Sequence, residues 1–284
     1  TDQTGEMRAQ MEKSFSALTE ALLFGNIDFD FLCEAEMPIL CERADNPLKV
    51  GEMTYDAVIV PNLTTIRSTT LERLSAFQNA GGTLIWMGEC PEYVNAEKSD
   101  AAKAVYAKAA RISNSPMQAV TAVDAFRALD IRRMDGSRED RVIYQLREDN
   151  GDRWLFLAEG KKQWEFNAVQ ENVKVQNDVV KPQNIIINID GEFSPILYDT
   201  LTGDIRSIAY EIKNGITKIN YTLSTNDSLL LRLVPTKLAA KKQDATERKE
   251  VILQRDFKGG IDFTLDEPNV YLLDRARFSF DGSD

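Results

Sequence analysis

The chain has 284 residues, 43% of them hydrophobic and 28% charged, the balance of a folded globular protein with a sizeable core. Its net charge of −11 argues against nucleic acid or an anionic membrane as the main partner, and no apolar run is long enough to span a bilayer. Histidine is absent, which excludes a Ser-His-Asp or Cys-His triad, an imidazole acid or base, and any His metal ligand.

In chain order, Met7, Met11, Phe15, Leu18 and Leu22 fall on one helical face, predicting a helix over residues 5–24 that stops at Gly25-Asn26. Ile27–Cys33 alternates apolar and polar positions and is expected to be a short strand. Tyr55–Val60 and Thr83–Met87 are compact apolar runs of the kind buried on both faces of a parallel sheet. Between them lies a helix expected to be capped by Thr69 or Thr70, to point Leu71, Leu74 and Phe77 inward, and to end at Gly81-Gly82. Strand, helix and strand then form a right-handed crossover. Further helices are expected at 99–111 and 118–129, the second carrying Val120, Val123, Phe126 and Leu129. Residues 1–135 thus read as an open α/β domain with a mainly parallel sheet. A strand should feed its first helix, so the domain is expected to begin upstream of Thr1, in a chain that has no leader segment and reads as an excised or processed piece.

From about residue 138 the helical period gives way to short strands at 141–146, 154–158, 173–175, 185–189, 196–198, 205–212, 217–223 and 229–234. Turn signals separate them, including Asp149-Asn150-Gly151 and the hairpin pair Asn214-Gly215. This spacing predicts an antiparallel β-sandwich over 136–240. Residues 236–250 are polar and mixed in charge, as a linker is. Strand-like runs resume at 251–253, 261–265, 270–273 and 277–280, so 241–284 reads as a linker and strands leading into a further β module.

Candidates for chemistry are few. Gly88-Glu89-Cys90 follows a buried strand, as a nucleophile elbow does, but Pro91 comes next and no imidazole base exists. Glu34, Glu36, Asp56, Glu89 and Glu92 stand near strand ends, where a carboxylate pair for glycoside hydrolysis would have to lie. Ligands of open α/β sheets bind beyond the carboxyl ends of the strands, which singles out the 61–65 and 89–93 loops. No phosphate loop or EF-hand spacing occurs, and three scattered cysteines (Cys33, Cys41, Cys90) do not make a zinc site, so no cofactor or metal is expected. Pairing of Cys33 with Cys41 stays open, with buried free thiols the expectation. Among the aromatics, Trp86 and Trp154 are expected in the core. Trp164, in Lys161-Lys162-Gln163-Trp164-Glu165-Phe166, is the candidate to stack on a sugar ring.

Three segments carry a resemblance: Tyr55–Pro61 with Thr70–Leu74 and Gly81–Gly88; Tyr198-Asp199-Thr200-Leu201-Thr202-Gly203 within Ile196–Ile205; and Asp266–Asp274. In that order they resemble the region downstream of the catalytic barrel in large bacterial α-L-rhamnosidase-type glycoside hydrolases (family 106-like). The resemblance implies an amidotransferase-like (flavodoxin-like) α/β domain, then a β-sandwich, then the lead-in to a sugar-binding jelly roll. It implies a periplasmic or secreted setting and, as partners, the remainder of a multidomain glycosidase and an oligo- or polysaccharide. The catalytic glutamates of that family lie on the barrel, so none is carried over. The amidotransferase elbow reads Gly-x-Cys-x-Gly, whereas Gly88-Glu89-Cys90-Pro91-Glu92 replaces its second Gly. The reading preferred here is a non-catalytic accessory portion. The alternatives are a stand-alone carbohydrate-binding module and a thiol-dependent amidotransferase-like enzyme.

Overall fold

A computed structural model describes residues 2–160, 183–224, 227–241 and 264. The strands expected at 173–175 and beyond 250, and the 266–274 segment, lie outside the described residues. Chain order gives α1 (Asp2–Phe24), α2 (Met37–Leu40), β1 (Leu48–Val50), β2 (Met53–Tyr55), β3 (Ala57–Val60), β4 (Thr65–Ile66), α3 (Ser68–Asn79), β5 (Thr83–Met87), β6 (Tyr93–Val94), β7 (Glu97–Lys98), α4 (Lys103–Lys108), β8 (Ala110–Ile112) and α5 (Pro116–Ala122). There follow β9 (Leu129–Arg133), β10 (Val142–Asp149), β11 (Asp152–Glu159), β12 (Gln183–Asp190), β13 (Phe193–Tyr198), β14 (Ile205–Ser207), β15 (Tyr210–Lys213), β16 (Ile216–Leu223), β17 (Ser228–Pro235) and β18 (Ala240–Lys241).

The fold is mixed α/β, with a parallel sheet in the first half and antiparallel sheets in the second. The parallel sheet has the order β3-β5-β8. Its side chains alternate between two cores, because successive residues of a strand point to opposite faces. Leu84 and Trp86 pack under α3 and α4, whereas Ile85 and Met87 pack under α1 and α5. Helix α3 ends as its glycines predict: Gly82 N–H donates to the Phe77 carbonyl and Gly81, at φ +92°, to that of Gln78, a Schellman closure. Its start differs from expectation. The helix begins at Ser68, and the Ser68 N–H donates to Asn95 Oδ1 at 2.9 Å and the Arg67 N–H to Glu34 Oε2 at 2.8 Å. Side chains from distant loops therefore take the place of Thr69 or Thr70.

Three local expectations fail. Ile27–Cys33 is extended but belongs to no strand ladder. The 99–111 helix shrinks to α4, and residues 110–112 become the third parallel strand. The 118–129 helix stops at Ala122, and Leu129 starts β9 instead. In the last two cases propensity lost to tertiary pairing, since the alanine-rich stretch and Leu129 both pair in a sheet.

Among the described residues, 129–160, 183–224 and 227–241 form two antiparallel five-stranded sheets, β10-β11-β17-β13-β14 and β18-β15-β16-β12-β9. One core serves both: Leu155, Leu157 and Leu231 from the first sheet meet Ile131, Ile187 and Ile219 from the second, all fully buried. Asn150-Gly151 and Asn214-Gly215 both take left-handed φ values and close two-residue hairpins, β10–β11 and β15–β16, as the sequence predicts. The run expected as one strand over 205–212 is broken. Its first part joins one sheet as β14 and its second part the other as β15, so the chain crosses between layers at Ile208-Ala209.

The two halves meet through polar groups. The nearly buried Arg127 side chain (5% exposed) donates to the carbonyls of Gly25 and, at 2.8 Å, Asn26, where α1 ends. Asp124 accepts from both Arg127 and Arg138, each at 3.0 Å. Arg138 also reaches Asp130 on β9 at 3.2 Å. Buried Asn26 donates to the Val142 carbonyl of β10 at 3.5 Å.

Candidate functional site

At the carboxyl ends of the parallel strands, the 61–65 and 89–93 loops do come together: β4 and β6 pair, and Tyr93 N–H donates to the Thr64 carbonyl at 3.2 Å. Gly88, at φ +73°, begins the second loop. A Cβ there would lie 2.5 Å from Asn62 Oδ1, so the turn takes glycine only. Tyr106 donates its hydroxyl to the Gly88 carbonyl at 3.0 Å. Cys90 is half-buried and its thiol lies 3.8 Å from the Pro91 carbonyl. Burial pushes that thiol's pKa up, Asp100 and Glu89 add to the shift, and Lys103 opposes it. A nucleophilic thiol needs the reverse.

Among the carboxylates, Glu34 is spent on the Arg67 N–H at the start of α3. Asp30, which is not among the expected carboxylates, accepts from the Tyr55 hydroxyl at 2.8 Å, and burial followed by that bond drives the Tyr55 pKa to about 12. Glu36, Glu89 and Glu92 are not drawn into a cluster: among the described residues no three His, Cys, Asp or Glu side chains gather as a metal site would require. All three cysteines are free. Cys41 is buried as expected, but Cys33 is exposed.

Trp86 is fully buried with Tyr106 edge-on at 5.6 Å, and Tyr210 is buried too. Trp154 is a correction. Strand β11 turns Leu155 and Leu157 inward, so the two-residue period turns Trp154 and Phe156 outward. Trp154 packs on Tyr198 with centroids 5.1 Å apart, and Arg232 stands over its ring. Asp152 accepts from Arg232 Nε at 2.6 Å and fixes it there. Trp164 lies outside the described residues.

Tyr198 also leads to a feature that sequence reasoning missed. At one mouth of the double sheet, a polar cavity of about 370 Å³ is lined by Tyr198, Asp199, Arg206, Tyr221, Asp227 and Ser228, among others. Its volume falls in the range of small-molecule sites. The Asp199 carboxylate accepts the N–H groups of Leu201 and Thr202 at 3.0 and 3.1 Å, and these bonds hold its pKa down. The Tyr198-Asp199-Thr200-Leu201-Thr202-Gly203 motif is therefore a turn that also walls the cavity. Asp227 in the same way accepts from Ser224 and Ser228 N–H. Burial, then Asp227 and Asp199, push the Tyr221 phenol up, so it stays a hydrogen-bond donor. Two phenols, a guanidinium and fixed carboxylates can together donate to and accept from a polyhydroxylated ligand. Only the turn residues were visible in the sequence. Tyr221 and Arg206 arrive from other strands and carry no local signature.

No protein-family model and no curated protein matches the chain. Among solved structures, it is similar to a rhamnosidase from Novosphingobium sp. PP1Y, with 16% identity and TM-score 0.48 over 75% of this chain and 19% of that one. It is similar to an exo-carrageenase GH42 from Bacteroides ovatus, with 17% identity and TM-score 0.44 over 77% of this chain and 26% of that one. An alpha-L-fucosidase isoenzyme 2 from Paenibacillus thiaminolyticus gives 11% identity and TM-score 0.48 over 79% of this chain and 45% of that one. These structures are glycoside hydrolases, and the chain spans less than half the length of each.

Proposed function

We propose that the chain is a non-catalytic, structural portion of a large bacterial glycoside hydrolase of the α-L-rhamnosidase type. In this reading an amidotransferase-like (flavodoxin-like) α/β unit and a β-sandwich brace a catalytic barrel carried elsewhere in the polypeptide, in the periplasm or outside the cell. The observation that carries the bracing role is the Arg127–Asp124–Arg138–Asp130 junction. Buried or half-buried charged groups in this network lock one layer system to the other, which serves rigidity and not turnover. The surroundings of Cys90, with a raised thiol pKa in a chain without imidazole, give the amidotransferase-like alternative no support. The glycosidase assignment draws on the order of the sequence motifs.

Two measurements test it. Calorimetry of the chain is expected to show the α/β and β portions melting in one transition, and two well-separated transitions would overturn the bracing role. Assays on 4-nitrophenyl α-L-rhamnoside and β-D-galactoside are expected to be blank. Turnover abolished by Glu34→Gln or Glu92→Gln would overturn the non-catalytic assignment.

The mouth cavity favours a second reading, a carbohydrate-binding module. Trp154 packs on Tyr198, which lines the cavity, so tryptophan emission reports on its occupancy. Saturable quenching by plant oligosaccharides that weakens in Tyr221→Phe would establish this reading over the bracing one.

A further inference from the structure

The two sheets of the β half differ on the faces they turn away from their shared core. In the sheet β18-β15-β16-β12-β9, Ile187 and Ile219 point inward, so their strand neighbours point outward, and the outer row Asp130–Asn188–Lys218–Glu211 is polar throughout. The other sheet breaks that pattern. Leu155, Leu157, Leu197, Leu229 and Leu231 point inward, and the register then sets Phe156, Leu230, Tyr198 and Ile205 side by side on the outer face of four adjacent strands. We propose that this face is a glycan-binding platform: a neutral oligosaccharide lies across the strands on that row, with the Trp154 ring and the Asp152–Arg232 pair along its flank. The inference rests on the carbohydrate-binding reading and extends it from the mouth cavity to the sheet.

An antiparallel sheet with one face on a core normally carries polar residues on the other. Here Phe156 is 40% and Ile205 61% exposed, and Leu230, Tyr198 and Trp154 are half-buried. Contiguous apolar surface of this kind marks a contact surface. The row crosses three strand spacings, about 14 Å at the usual separation of neighbouring strands, which is longer than one sugar ring.

The flanking groups choose the occupant. The next row along the strands is Arg147–Trp154–Arg232–Ile196–Ser207, and Gln145 closes the first row beside Phe156. Arg232 stands over the Trp154 ring, and its Nε donates to Asp152 at 2.6 Å. Hydrogen-bonding groups therefore stand directly beside apolar ones across the face. A sugar has the matching character, with apolar C–H groups on its ring faces and hydroxyls around the rim.

The centre of a protein–protein contact is instead depleted of charge, whereas here a charge pair adjoins the largest ring of the face. The net charge of −11 opposes a second copy of the chain and an anionic glycan alike, which leaves a neutral one. Tyr198 also lines the mouth cavity, so the two surfaces adjoin.

Calorimetric titration with neutral gluco-, xylo-, galacto- and manno-oligosaccharides tests the platform. Affinity for the preferred series is expected to rise by about tenfold or more from the disaccharide to the hexasaccharide, as added ring contacts require. Phe156→Ala and, independently, Ile205→Ser should erase that gain, and both side chains are exposed enough for either variant to keep the fold. Lys218→Ala, on the polar outer face of the other sheet, should leave the gain intact. Binding that is independent of length, survives both variants and weakens in Tyr221→Phe would overturn the platform and leave the cavity reading standing. The absence of saturable binding with every series would overturn both. A concentration-dependent dimer in sedimentation that Phe156→Ala dissociates would overturn the proposal in favour of a second copy on this face.

Discussion

The parallel sheet and the antiparallel pair of sheets bury their hydrophobic side chains by different means. Among the described residues of the β half, ten strands in two layers share a single core, to which fully buried Ile187 and Leu231 contribute from opposite sheets. In the α/β half, three strands are covered by helices on both faces, and the core is divided into separate clusters. An antiparallel double layer closes by stacking on itself, because its hairpins deliver each neighbour locally. A parallel sheet depends on crossovers, and among the described residues its edge strand β3 has one neighbour, β5. Stability should therefore be concentrated in the β half and thin out towards Ala57–Val60.

The largest expected effect probes the connection between β9 and β10. Glu139 is fully buried in the turn from β9 to β10, with Arg133 at 3.2 Å and Arg141 at 3.1 Å. It also accepts the Arg141 N–H at 3.0 Å. Glu139→Ala removes the anion the two guanidinium groups share, although Arg133 keeps Asp140 and Arg141 keeps Glu159, and should cost about 3 kcal/mol or more in chemical denaturation. A loss below 1 kcal/mol would show that the turn is not under this control.

The comparison itself is sharpened by paired truncations. Ile187→Ala, at a fully buried position, should cost about 3 kcal/mol through lost transfer energy and the cavity left behind. Ile59→Ala, half-buried on the open edge, should cost about 1 kcal/mol, because part of that side chain already meets water. Equal losses would erase the distinction between the halves.

The sequence made the hairpins and the buried strands legible, because both rest on local rules. Asn214-Gly215 needs only two residues with positive φ, and Thr-Leu-Ile-Trp-Met is buried on both faces whatever surrounds it. The misreadings share a cause. Ala110–Ile112, Ile27–Cys33 and Trp154 were decided by which sheet edge was free and which face was outward, and neither is written in a short window of residues. The mouth cavity was illegible for the same reason, since Tyr198, Arg206 and Tyr221 come from different strands.

A smaller effect concerns the junction of the two halves. Partial burial would raise the Asp124 pKa, but hydrogen bonds from Arg138 and Arg127 outweigh it and hold the pKa below the ordinary 3.8. A depressed carboxylate stabilises the fold above its unfolded value, and the contribution is lost as pH falls through the folded value. The Asp124 side chain is 52% exposed, so screening reduces its worth, and Asp124→Asn should cost about 0.5–1 kcal/mol at neutral pH and nothing well below 3.8. Melting curves from pH 7 to 2.5 would check this, and an undiminished cost at the acid end would refute the electrostatic account.

The smallest effect has the opposite sign and lies in the extended segment that follows α1. Burial by surrounding protein raises the Asp28 pKa, the like charge of Asp30 adds to the shift, and Arg147 only partly offsets them. A carboxylate with a raised folded pKa opposes folding once ionised: the fold is most favoured below the unfolded value of 3.8, and that advantage is lost as pH rises through the folded value. Asp28→Asn should therefore stabilise the chain slightly at neutral pH, with a gain in Tm that vanishes below 3.8. A loss of stability at neutral pH would mean that Asp28 is held by an attraction stronger than the penalty of its surroundings.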